Sequence, residues 1–98
     1  MMPVMDIAEA SKVAEARLRQ LRGLTYSRLA AEWLDRPRSE YATAPSGRRY
    51  QLEIEAVWDD RPNANLRVWV LVDDGGSSAT RPLHRDFIVA PDGSFVGE

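Results

Sequence analysis

The sequence contains no cysteine, a single histidine (His84) and a single lysine (Lys12). Without cysteine there can be no disulfide, no thiolate nucleophile and no zinc–thiolate site, a composition that fits a reducing compartment and points to the cytoplasm. One histidine does not build a histidine-rich metal centre, so neither a metal nor a cofactor is expected. No apolar run reaches the roughly 18 residues that a membrane-spanning helix requires. The opening Met1-Met2-Pro3-Val4-Met5 lacks the charged start and long apolar centre of a signal peptide. An excess of positive charge is also missing. The formal net charge of -2 argues against a general binder of nucleic acid or of membranes. The glycines form neither a phosphate-binding loop nor a dinucleotide fingerprint.

What is present is ordinary globular material. In 98 residues, 44% are apolar and 29% charged, which sets the chain apart from disordered segments and suits one small domain spanning residues 1–98. A chain of this size buries roughly 60–68% of the surface its unfolded form exposes, enough for one core with little stability to spare. The basic residues are almost all arginine. Because the bias extends over every solvent-facing position, it reads as the mark of a GC-rich bacterial genome rather than as a functional signal.

The most regular stretch runs from Tyr50 to Asp74. Apolar residues occupy every second position at Tyr50, Leu52, Ile54, Ala56 and Trp58, with Gln51, Glu53 and Glu55 between them. That period of two marks a strand with one buried face. After a turn containing Pro62, Asn63 and Asn65, the run Leu66 to Asp73 is β-branched and aromatic, as strands prefer. The two strands, about 49–58 and 66–73, form a β-hairpin. Pairing Trp58 with Leu66 sets Ala56 opposite Val68, Ile54 opposite Val70 and Leu52 opposite Val72 on the buried side. Glu55 then faces Trp69, Glu53 faces Leu71 and Val57 faces Arg67 on the other. The apolar pattern opposes a slip of one residue, which would reverse the faces of one strand.

Two helices precede the hairpin. Asp6 and Glu9 have capping-box spacing, and Ile7, Ala10, Ala14, Leu18 and Leu21 share one helical face, predicting a helix over about 7–22 that Gly23 ends as a left-handed cap. Thr25 caps a second helix over about 26–34, closed by Pro37. Residues 36–48 read as a loop in which Tyr41–Ala44 can form a short edge strand. Gly75–Ser78 is a turn. Thr80–Asp86 is read as a short edge strand followed by one turn of helix near Leu83–Asp86, because Pro82 forbids a central strand there. Strands are expected at about 87–90 and 94–96 around the turn Pro91-Asp92-Gly93. The order predicts an α+β fold: two N-terminal helices packed on one face of an antiparallel sheet of about four strands.

Candidate chemistry is sparse. Asp59-Asp60 and Asp73-Asp74 invite a metal, but the hairpin register places them at opposite ends, on the order of 25 Å apart, and each pair is more simply a turn former. Glu53 and Glu55 share a face and could act as a carboxylate pair. The plainer reading is the polar side of an amphipathic strand, with Arg67 as the neutralising partner. His84 and Asp86 could serve a small enzyme, yet no serine lies in a nucleophile-elbow context. Leu21–Ala30 resembles the opening of a helix-turn-helix domain, which would read DNA through helices 1 and 2. A recognition helix should then follow, and Pro37, Pro45 and strands follow instead.

Strand 66–73 is apolar on both faces. Such a strand is either central in a covered sheet or part of an interface. Trp, Arg and Tyr are the residue types that anchor interfaces, so Val57, Arg67, Trp69, Leu71 and Glu55 are the candidate binding residues, and no catalytic residue is assigned. The segments Tyr50…Val57-Trp58-Asp59-Asp60, Arg67-Val68-Trp69-Val70…Val72-Asp73-Asp74-Gly75-Gly76 and Asp86 to Glu98 together resemble a family of small actinobacterial-type proteins of unknown function. The resemblance covers about half the chain and implies no catalytic residues. The expectation from the residues is a non-enzymatic protein-binding module, an immunity, antitoxin-like or accessory protein, acting through its sheet face. The alternatives are a small enzyme using Glu53/Glu55 or His84/Asp86, or a DNA-binding domain. The partner is expected to be another protein or a second copy of the chain in a homodimer.

Overall fold

A computed structural model describes residues 6–75 and 82–98. In it, two helices, α1 (Ile7–Arg22) and α2 (Tyr26–Trp33), precede four strands: β1 (Arg38–Thr43), β2 (Arg49–Trp58), β3 (Leu66–Asp73) and β4 (Leu83–Val89). The strands form an antiparallel sheet in the order β1-β2-β3-β4, a meander in which each strand pairs with its neighbour in sequence. The fold is α+β, with the helices on one side of the sheet.

Each helix begins where its capping side chain allows. The Asp6 carboxylate accepts the Glu9 N–H at 3.0 Å, and the Thr25 hydroxyl accepts the Arg28 N–H at 3.1 Å, each satisfying a donor that the first helical turn leaves without a partner. Along α1 the buried residues are Ala10, Ala14, Leu18 and Leu21. Two alanines in that stripe let the helix backbone come close to the sheet, where it lies over β3 and β4. Helix α2 packs Leu29 and Trp33 onto the β2 side. The sheet answers with Tyr50, Leu52, Ile54 and Ala56 from β2 and Leu66, Val68, Val70 and Val72 from β3, none more than 1% exposed. Phe87 and Val89 of β4 extend this core.

The β2–β3 register is the one the alternation predicts, from Trp58 opposite Leu66 to Leu52 opposite Val72. The turn between them is closed by Asp59 N–H to Asn65 O at 2.9 Å, with Asn63 in the left-handed region at φ 63°. Asparagine tolerates that conformation because its short polar side chain can bond locally.

Several expectations are corrected. Gly23 is not a left-handed cap: its φ of -76° and ψ of -11° are right-handed. A Cβ there would sit 3.3 Å from the Gln20 carbonyl oxygen, so crowding rather than handedness favours glycine. Leu34 lies outside α2. It turns extended and bridges to Ala56, and Asp35, at φ 52°, redirects the chain toward β1. The edge strand suspected at Tyr41–Ala44 is a full strand starting at Arg38. The helical turn expected near Leu83–Asp86 is part of β4, since Pro82 stands just before the strand and removes no ladder bond from it. Ser94–Val96 is not a strand. It makes one bridge, Phe95 with Val89, after a turn in which Gly93 adopts φ 90°. Gly76–Ser78, Thr80 and Arg81 lie outside the described residues.

Candidate interaction face

The period of two that buries one face of the sheet presents the other. On β2, β3 and β4 the outward residues fall into three registered rows: Glu53–Leu71–His84, Glu55–Trp69–Asp86 and Val57–Arg67–Ile88. Trp69 is the centre of this grid. Both helices lie on the opposite side, and among the described residues no helix or strand crosses this face. Trp69, Leu71, Val57 and Ile88 are half-buried, with Glu53 and His84 exposed at the margin. All five candidate binding residues, Val57, Arg67, Trp69, Leu71 and Glu55, thus share one contiguous surface.

The charges on this face are unequally engaged. The Arg67 guanidinium donates to Asp59 Oδ1 from Nε at 3.0 Å and from Nη2 at 2.8 Å, and to Asp86 Oδ2 from Nη1 at 2.5 Å. These hydrogen bonds, to Asp59 first and then Asp86, hold its pKa above the ordinary arginine value. Arg67 therefore ties the end of β2 to β4 across β3. It does not neutralise Glu53 or Glu55, as the sequence suggested, because Asp59 and Asp86 stand nearer. Neither glutamate has an ion-pair partner among the described residues. The Trp69 and His84 rings lie with centroids 6.4 Å apart at 53°. Farther along the face, the Arg49 guanidinium sits 3.8 Å above the Tyr41 ring, which is 63% exposed.

The alternative sites are less assembled. His84 Nε2 comes within 3.9 Å of Asp86 Oδ2, but that oxygen is already held by Arg67. Glu53 and Glu55 project from the open face rather than into a cleft. Asp59 and Asp73 sit at opposite ends of the hairpin, and among the described residues no group of three His, Cys, Asp or Glu side chains could hold a metal ion. Three of the four helix arginines that would contact DNA are engaged at home: Arg17 with Glu40, Arg22 with Glu98 and Arg28 with Glu32, while Arg19 has no ion pair among the described residues.

One concave feature was not foreseen. A cleft of about 680 Å³ runs between α1 and β1, with Val13, Ala16, Ala42 and Leu52 along it and the Arg17–Glu40 pair, 2.6 Å, across it. It exists because α1 lies over β3 and β4 and leaves the β1 side of the inner face less covered. The sequence carried no signal for that offset. His84, Asp86 and Ile88 were also missed as members of the open face. The outward alternation of β4 was the available signal, but Arg85 in an inward position obscures it.

No protein family, curated protein or solved structure matches the chain. Among the described residues no helix is long and apolar enough to cross a membrane. The class is therefore defined by the structure alone: an α+β meander with helices on one face and, on the other, an aromatic-centred face that no helix or strand covers among the described residues.

Proposed function

We propose that the chain is a non-enzymatic protein-binding module that docks a partner on the open face of its sheet, in the manner of a small immunity, antitoxin-like or accessory protein, and that it works in the cytoplasm. The observation that supports this reading is the position of Trp69. A tryptophan surrounded by Leu71, Val57 and Ile88, without a covering element among the described residues, has the composition of an interface centre: an aromatic anchor, apolar neighbours and a polar rim. Arg67 adds rigidity, since its fork is fixed from two sides before any partner arrives.

The test is the mass in solution of the wild type beside Trp69→Ala and Trp69→Glu, with folding checked by circular dichroism. Folded monomers throughout, with little loss of stability, support a face kept for a different protein. A wild-type dimer that Trp69→Glu splits into folded monomers assigns the face to self-association. Unfolding of either variant places Trp69 in the core and removes the proposed site.

A further inference from the structure

Resting on that reading, we propose that the partner presents a basic surface and seats an arginine or lysine over Trp69, entering from the β2 side. The middle row of the grid sets Trp69 between Glu55 and Asp86. An aromatic ring attracts a cation through its negative face, and adjacent carboxylates add to that attraction. The two carboxylates differ in availability. Asp86 is held by Arg67 at 2.5 Å. Glu55, and Glu53 in the next row, have no ion-pair partner among the described residues. Glu53 and Glu55 therefore leave unpaired negative charge at the middle of β2, so a guanidinium placed there meets two carboxylates and the indole together, a geometry arginine satisfies with its planar fork.

The same arrangement disfavours a second copy as the occupant. A two-fold pairing of identical faces sets the Glu53 and Glu55 stripe against acidic faces, with both Arg67 forks already closed on Asp59 and Asp86 and both Arg49 guanidiniums already seated over Tyr41. A partner with opposite charge removes that repulsion and replaces it with attraction.

The experiment uses the whole chain as bait for a random peptide display library, counter-selected on Trp69→Glu so that only binders depending on this face survive. Surviving peptides should carry net positive charge and arginine beside apolar residues. They should bind Glu53→Gln/Glu55→Gln about tenfold more weakly, in keeping with two surface carboxylate contacts, one exposed and one half-buried. Their affinity should also fall as salt rises from about 0.05 to 0.5 M. Both glutamates project from the surface, so the doubly substituted chain should keep its circular dichroism spectrum and melting temperature. Trp69-dependent binders that are neutral or acidic, or that ignore the double substitution, overturn the basic partner while leaving the docking face in place. A complete lack of Trp69-dependent binders overturns the docking face itself, and this proposal with it. A wild-type dimer dissociated by Trp69→Glu overturns it in favour of a second copy.

Discussion

Replacing Ile54 and Trp69 separately by alanine tests the two-faced character of the sheet. Ile54 is fully buried against the helices and pairs with Val70, also fully buried. Its truncation removes buried methyl groups and leaves a cavity walled on every side, so it should cost about 2–5 kcal/mol. For a chain of this size each kcal/mol lowers Tm by about 4–8 °C, so a fall of roughly 10 °C or more is expected. Trp69 is the larger residue, yet its truncation opens no closed cavity. What is lost are cross-strand contacts with Glu55 and Asp86 and the ring contact with His84, each worth about 0.2–1 kcal/mol. The expected cost is about 1 kcal/mol, against the two- to fivefold greater cost at Ile54. Urea denaturation followed by far-ultraviolet circular dichroism measures both, and an unchanged slope confirms that neither variant alters the unfolded state. If Trp69→Ala costs as much as Ile54→Ala, the outer face is covered and the account of the sheet given above is wrong.

Three further outcomes are expected. Tyr50→Phe removes the hydrogen bond from the phenol to Glu9 Oε1, 2.7 Å, which links β2 to α1, and should cost about 1 kcal/mol at neutral pH. Burial, and then the Glu9 carboxylate, raise the Tyr50 pKa. The stabilisation this provides is complete below the unfolded value of about 10 and is lost as pH rises through the higher folded value; the alkaline decline in stability should accordingly be shallower in Tyr50→Phe, read by denaturation at stepped pH. Thr25→Ala leaves the Arg28 N–H without its capping acceptor and should lower stability by about 1 kcal/mol, whereas Thr25→Ser, measured in the same melts, should be nearly neutral.

The parts of the fold that were legible in the sequence are those where burial is one-sided. β2 and β3 declare themselves because every inward residue from Tyr50 to Ala56 and from Leu66 to Val72 is apolar, and that same alternation fixes their register. Both helix starts were legible because capping is local chemistry, complete within four residues. β1 was barely visible. Its inward positions hold Arg38, which lies over the Trp33 ring of α2, and Glu40 and Ala42, which border the cleft beside α1, so no hydrophobic period is imposed on it. β4 was masked in another way. Its inward Arg85 bypasses the apolar requirement by reaching Ser11 Oγ of α1 at 3.2 Å. That Val57, Arg67, Trp69, Leu71 and Glu55 share one face followed from the hairpin register, but the ion pairing of Arg67 did not. Asp59 lies in a turn and Asp86 on a strand read as helix, and no local pattern links either to Arg67.

The meander has a kinetic consequence. Since β1 pairs with β2, β2 with β3 and β3 with β4, no strand must wait for a partner distant in the chain, and each pairing closes only the short segment between neighbours. The long excursion is the docking of α1, at the start of the described chain, onto β3 and β4 near its end. That step has the largest loop to close. Substitutions in the Ala10 and Ala14 stripe that hinder close approach should therefore report on the late, slow part of assembly, while the sheet's own hairpins form ahead of it.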